Sequence, residues 1–202
     1  MLHLEEGVED VRAGLIGEVA SHNEQDPNPA AYRLRPLETR VFEAAAQAQK
    51  RTGVAISTHA SLGRAGHAQL DVLEDAGANL EKVAIGHCDA HWHRDAEKDL
   101  EYYLPILRRG AFCQFDLIGW EELAPDAVRA QRIAGLVELG YEHQILLSTD
   151  ICRLSQLHRH EGRGFDYLWH QFLPRLFELG VTEDQVKSML VEAPRLLLAR
   201  LL

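Results

Sequence analysis

Hydrophobic and polar positions alternate between two rhythms along the chain. Short apolar runs of four to seven residues occur at Ala13–Val19, Gly53–Thr58, Val83–Gly86, Ala111–Phe115 and Gln144–Ser148. Each contains β-branched or aromatic residues and is bounded by glycine or polar residues, which predicts strands. Their apolar character is nearly continuous, so both faces are expected to be covered, as in a parallel sheet. Between the runs lie helical periods. Leu37–Lys50 carries apolar residues at 37, 41, 44, 45 and 48 and stops before Gly53. His67–Ala76, Asp95–Arg109, Pro125–Leu139 and Phe165–Leu179 each end at a glycine. Arg108 and Arg109 complement the dipole at one helix end, and Pro125 is suited to open another. Thr182-Glu183-Asp184-Gln185 reads as a capping box before a last helix through Leu201.

Helix, glycine, strand, repeated, is the alternation of an α/β fold. Five units occupy residues 1–202 as a single domain, with no low-complexity linker between them. A closed eight-stranded β/α barrel typically takes about 250 residues. Were the fold of that kind, it would be an incomplete (β/α)8 TIM-type barrel with three units missing.

Composition narrows the function. Lys and Arg number 21 against 31 Asp and Glu, a formal charge of −10, and no cationic run occurs. Binding to a nucleic-acid backbone needs cationic patches, so no nucleic-acid partner is expected. No apolar stretch approaches the roughly 18 residues of a membrane span, and the start MLHLEEGVEDVR lacks the layout of a signal peptide. Three cysteines suit reduced thiols better than a disulfide framework, which points to a cytoplasmic location. Cys88 and Cys152 have no partner at CxxC spacing and read as buried small hydrophobes.

The polar residues at the strand ends are more telling. Glu18 is expected to end the first strand, His59 the second, His87 the third, Asp116 the fourth and Asp150 the fifth. In β/α barrels and open α/β sheets the site lies at this end. Two imidazoles with carboxylates there suit a divalent metal. A metal so held lowers the pKa of a water and supplies hydroxide near neutral pH. His22, His91, His93, His158 and His160 fall in loops at the same end and read as solvated. Trp92, Trp120 and Arg153 share those loops and could shape a small-molecule pocket.

These residues carry a resemblance. Ala13-Gly-Leu-Ile-Gly-Glu-Val19, Ser57-Thr58-His59, Ala84-Ile85-Gly86-His87-Cys88-Asp89, Phe115-Asp116 and Leu147-Ser148-Thr149-Asp150 resemble the phosphotriesterase-related branch of the amidohydrolase superfamily. Gln69–Leu73, Arg132-Ile133 and Val191–Arg195 support it, in order over almost the whole chain. The resemblance implies strands four to eight of a (β/α)8 barrel with two metals, usually zinc, and a metal-dependent hydrolase of phosphotriesterase or lactonase type. Glu18 matches the bridging glutamate of the Gly-Glu branch, and His59 and His87 match the metal-binding histidines. Asp150 matches a carboxylate that binds the second metal and serves as the catalytic proton acceptor. Asp116 is expected to line the substrate pocket with Arg153 and Trp92.

The family's first-strand His-x-His has no equivalent, and His91-Trp92-His93 follows a different strand. One metal keeps Glu18, His59 and His87, and the other only Glu18 and Asp150. A part-barrel exposes two strand edges, so a homo-oligomer or a missing N-terminal segment is expected. Two alternatives stand beside the hydrolase: a TatD-like deoxyribonuclease, which shares a Gly-Glu motif but is disfavoured by the acidic charge, and a non-catalytic relic.

Overall fold

The structure, a computed structural model, describes residues 11–22, 32–60, 64–90 and 93–199. Five strands, β1 (Leu15–Ser21), β2 (Ala55–Ala60), β3 (Val83–Ile85), β4 (Phe112–Phe115) and β5 (Ile145–Leu147), form one sheet in the order β1-β2-β3-β4-β5. Every neighbouring pair is parallel. Helices α1 (Pro36–Thr52), α2 (Gly66–Asp75), α3 (Ala96–Arg108) and α4 (Asp126–Glu138) make the four crossovers. A doubly wound sheet reverses its strand order at a switch point. Sequential order without reversal is that of a barrel wall.

Local chemistry fixes the element ends. Gly53 stops α1 in the left-handed conformation (φ 67°) with its N–H on the Gln49 carbonyl, the glycine stop that the sequence predicts. The Asp95 carboxylate accepts from the Glu97 N–H and opens α3. Thr182 and Gln185 form the expected capping box at α6 (Glu183–Lys187). The final helix is not continuous to Leu201. A π-helical turn at Ser188–Glu192 separates α6 from α7 (Ala193–Leu198). Likewise the segment predicted from Phe165 begins with a π-turn at Leu168–Phe172 before α5 (Leu173–Glu178). In both, the second residue after the π-turn is a proline, Pro174 or Pro194, which lacks the N–H of a regular α-turn.

The sheet buries its two faces differently. Ile56, Val83, Ile85, Cys113, Phe115 and Ile145 pack in the main core with Phe42, Leu70, Leu73, Ile106 and Leu136 from the helices. The opposite face carries Ser57, Ala84, Phe112, Gln114 and Leu146, with Ser57 paired to Ala84, Ala84 to Phe112 and Gln114 to Leu146. There a second cluster joins the strand starts Ala55, Ala84 and Phe112 to Ala193 and Leu197 of α7. So the expected cover on both faces is met on the helical side, while among the described residues α7 covers only the lower part of the other. Lys82, just before β3 and buried, clasps the end of α7 by donating its ammonium to the carbonyls of Leu196, Leu197 and Ala199.

One expectation needs correction. Glu18 does not end its strand; β1 runs on to Ser21. Ile16 pairs with Ile56 and Val19 with Thr58, so Gly17 and Glu18 together oppose Ser57 alone. That is a β-bulge, which re-aims side chains. Simple alternation from Ile16 would send Glu18 to the helical side; the bulge turns it to the other face. Gly17 is required there, because a Cβ would lie 2.8 Å from the Ser57 carbonyl oxygen. Among the described residues, no helix is long and apolar enough to cross a membrane.

Candidate metal centre

The strands deliver four of the predicted residues to one rim. Glu18 arrives by the bulge, and His59 stands one residue before the end of β2. His87 follows β3 by two residues and Asp150 follows β5 by three; both hold left-handed backbone, φ 53° and 45°. Non-glycine residues there cost free energy that the surroundings must offset, a pattern frequent at functional sites. Gly86 permits the approach of β3 to β2, since a Cβ would meet the Thr58 carbonyl oxygen at 2.0 Å.

At the centre, His87 Nε2 lies 2.9 Å from His59 Nδ1, and His59 Nδ1 lies 3.2 Å from Glu18 Oε2. One ligand atom from each of Glu18, His59 and His87 falls within 4.8 Å of the others. Donors about 2.1 Å from one ion stand no more than about 4.2 Å apart, so small side-chain adjustments suffice to share one. The other edge of His87 is occupied: its Nδ1 is 2.8 Å from Asp116 Oδ1, and its backbone N–H donates to the same carboxylate at 3.0 and 3.1 Å. A carboxylate only accepts when ionised, so Nδ1 carries the proton and Nε2 is turned toward Glu18 and His59. A histidine whose second nitrogen donates to a carboxylate is the usual build of a metal ligand. The residues fit a divalent cation.

Electrostatics agree. Burial disfavours charge on His87, yet the hydrogen bond and charge of Asp116, with Glu18 and Asp150 beyond, overcome it and carry the imidazole up to about 9. Such a potential favours any cation, proton or metal. Burial also pushes the Asp150 carboxyl upward, Asp116 adding to it, against the pull of His87 and His59.

A cavity of about 350 Å³ opens beside these groups. Glu18, His87, Asp116 and Asp150 make its polar end; Leu15, Leu146, Leu197 and Leu198 make its apolar end. Of the three residues expected to contact substrate, Asp116 lines the cavity but commits its carboxylate to His87 and to the Gln114 amide. Arg153 is exposed and outside the lining, on the loop after β5, where its backbone N–H bonds the Gln156 side chain. Trp92 and His91 lie outside the described residues. Cys88 is buried as expected, but Cys152 is exposed on the same loop as Arg153. Trp120 is held between loops: its indole donates to the Thr149 carbonyl and its ring carries the Arg163 guanidinium 4.9 Å above.

Sequence reasoning missed the supports. Gln114, polar within a predicted strand, links Ser57 to Asp116, and its polarity in an apolar run was the available signal. Gln69, buried in α2, donates to Ser21 and to the His59 carbonyl and accepts from Thr58, joining β1 to β2. Arg163 donates to the Thr149 carbonyl beside Asp150. For Gln69 and Arg163 nothing local marked the role.

Comparison with known proteins gives a consistent result. A family model described as Phosphotriesterase family matches residues 2–198. The Phosphotriesterase homology protein of Escherichia coli (strain K12) is 35% identical over 193 residues, covering 95% of this chain and 61% of that protein. Its crystal structure, with phosphate in the active site, superposes with a TM-score of 0.83, covering 96% of this chain and 62% of that one. The N-acetyltaurine hydrolase of Danio rerio is 28% identical over 208 residues, 96% of this chain and 55% of that protein. A lactonase from Listeria monocytogenes, 28% identical, superposes with a TM-score of 0.83 over 98% of this chain and 58% of its own. The chain thus spans about half to three-fifths of the length of these relatives.

Proposed function

This chain belongs to the phosphotriesterase family, and we propose on that premise that it carries the catalytic rim of a metal-dependent hydrolase acting on a small ester, lactone, amide or phosphotriester. The observation that carries the reading is the convergence of Glu18, His59 and His87 behind an Asp116-anchored imidazole. In it, Glu18 Oε2, His59 Nδ1 and His87 Nε2 would hold a divalent cation, zinc by the resemblance. When bound, such a cation polarises the bond under attack and lowers the pKa of a water toward neutrality. Asp116 fixes the tautomer and direction of His87. Asp150, at the polar end of the same cavity, takes the proton from the attacking water at its carboxylate and returns it to the leaving group. The water oxygen bonds to the carbonyl carbon or phosphorus, the bond to the leaving oxygen or nitrogen breaks, and the transferred proton completes the alcohol or amine.

Relatives described as a lactonase and an N-acetyltaurine hydrolase share an electrophilic carbonyl as target, and a phosphate ion bound in the E. coli protein shows that its site admits a tetrahedral oxyanion. Leu146, Leu197 and Leu198 suit an apolar substituent on such a substrate. The family assignment and the charge of −10 favour this reading over a TatD-like deoxyribonuclease. Among the described residues β1 and β5 are the outer strands of the sheet, and such edges call for cover, by self-association or by a further segment of polypeptide completing the barrel wall.

The test is metal content joined to a substrate panel. After dialysis, about one zinc or manganese per chain is expected, with chelator-sensitive hydrolysis of a lactone, an aryl ester or an N-acyl amide. Absence of retained metal, or hydrolysis of DNA in place of these, would overturn the reading.

A further inference from the structure

We propose that Arg129 and Asp89 are positioning residues for His87, acting on it through the backbone of Asp116. The proposal rests on the metal reading above. The chain of contacts is short. Arg129 Nε donates to Asp89 Oδ2 at 2.7 Å. The Asp89 carboxylate accepts the backbone N–H of Asp116 at 3.2 Å and that of Leu117 at 3.1 Å. Asp116 in turn takes both the backbone N–H and the Nδ1–H of His87. Thus a guanidinium on α4 sets the height of the carboxylate that aims His87 Nε2.

Arg129 itself is over-determined. Its Nη1 donates to Asp126 Oδ1 at 2.9 Å and to the Ala124 carbonyl, and its Nη2 donates to the Trp120 carbonyl. Asp126 also accepts from the Gly119 N–H and the Tyr167 hydroxyl. The loop from Asp116 to Pro125 is therefore pinned to α4 along its length. Side chains of Arg129, Asp89 and Asp126 are at most 1% exposed. Buried ion pairs contribute little net stability over apolar packing, so stability alone is a weak reason for this cluster. What it does supply is the fixed backbone that a metal ligand needs: sites tolerate errors of only about 0.5 Å.

The molecule contains its own control. Asp99, equally buried, binds two arginines, Arg64 and Arg132, and the His93 N–H. This second cluster has the same chemistry and touches neither Glu18, His59, His87 nor Asp116 in any of those bonds. A role in folding alone predicts equal consequences for both clusters; a positioning role predicts that only one reaches the metal.

The experiment is titration with Co²⁺ alone, read by its ligand-field absorption, on the full chain and on Asp89→Asn, Arg129→Met, Arg129→Lys and Asp99→Asn. Far-UV circular dichroism and thermal unfolding are measured beside it. Asp89→Asn and Arg129→Met should each weaken Co²⁺ binding by about ten- to a hundredfold in folded protein, the usual effect of losing an outer support, and should shift the absorption band. Arg129→Lys keeps the charge without the fork and should recover only part. Asp99→Asn should lower thermal stability while leaving Co²⁺ affinity and spectrum as in the parent. If Arg129→Met does not fold, the nearly isosteric Asp89→Asn decides. Folded Asp89→Asn with parental affinity and spectrum would overturn the proposal, as would an equal loss in Asp99→Asn. A parent chain that binds no Co²⁺ would instead bring down the metal reading, and this proposal with it.

Discussion

The two halves of the candidate centre are built to different standards. His87 leaves β3, which has β2 and β4 on either side; it is 7% exposed, and the Asp116 beside it 6%. Its ring and its backbone are both tied to one carboxylate, itself held by Gln114 and Asp89. Glu18 stands on the edge strand β1, in a bulge, with its side chain 47% exposed, and His59 is 31% exposed. Only Glu18 is on the outer strand; β1 is joined to the inner strand β2 of His59 by its ladder and by Gln69, which ties Ser21 to the His59 carbonyl. A ligand on a central strand is preorganised by neighbours it cannot escape, whereas one on an edge depends on what lies beyond it.

Substitutions can break or sharpen that contrast. The largest effect is expected from His87→Ala, which removes the best-held donor. Metal retained after dialysis should fall to none, and the stabilisation that saturating metal gives the parent, about 2.7 kcal/mol at a hundred times Kd, should vanish from thermal unfolding. Asp116→Ala comes next and should damage both properties together. It leaves the His87 N–H, the His87 ring and the Gln114 amide without their acceptor, costing roughly 3 kcal/mol in denaturant unfolding, and metal affinity should drop by about a hundredfold. Glu18→Gln is the smallest and should separate them. On an exposed edge its stability change should stay within about 0.5 kcal/mol, while metal binding weakens by about tenfold in the same titration. Equal stability losses for Asp116→Ala and Glu18→Gln would erase the distinction between the halves.

Much of this was legible in the chain. The five strands, the glycine stops and the rim residues His59, His87 and Asp150 follow from periodicity and from the position of polar groups after apolar runs. Glu18 was legible as a candidate but not in its placement, because a bulge is a backbone event that leaves the letters Leu15-Ile16-Gly17-Glu18 looking like plain alternation. Asp116 was expected among the pocket-lining residues, and its bond to His87 became visible only once β3 and β4 were set in register. Arg153 lies on the loop after β5, exposed and outside the cavity lining, because a loop residue's place in the sequence does not fix which way the loop folds. The π-turns before Leu173 and Ala193 interrupt helices whose apolar period runs straight through them.

Lys82 offers a different use. The chain has four lysines, and Lys50, Lys98 and Lys187 are exposed while Lys82 is shut beneath the last helix. Amine-modifying reagents will tag the three exposed lysines at once and Lys82 only when its ammonium lets go of the carbonyls above it. Mass spectrometry of that one late adduct therefore clocks how often the floor of the half-barrel lifts, with the other three lysines as the internal standard.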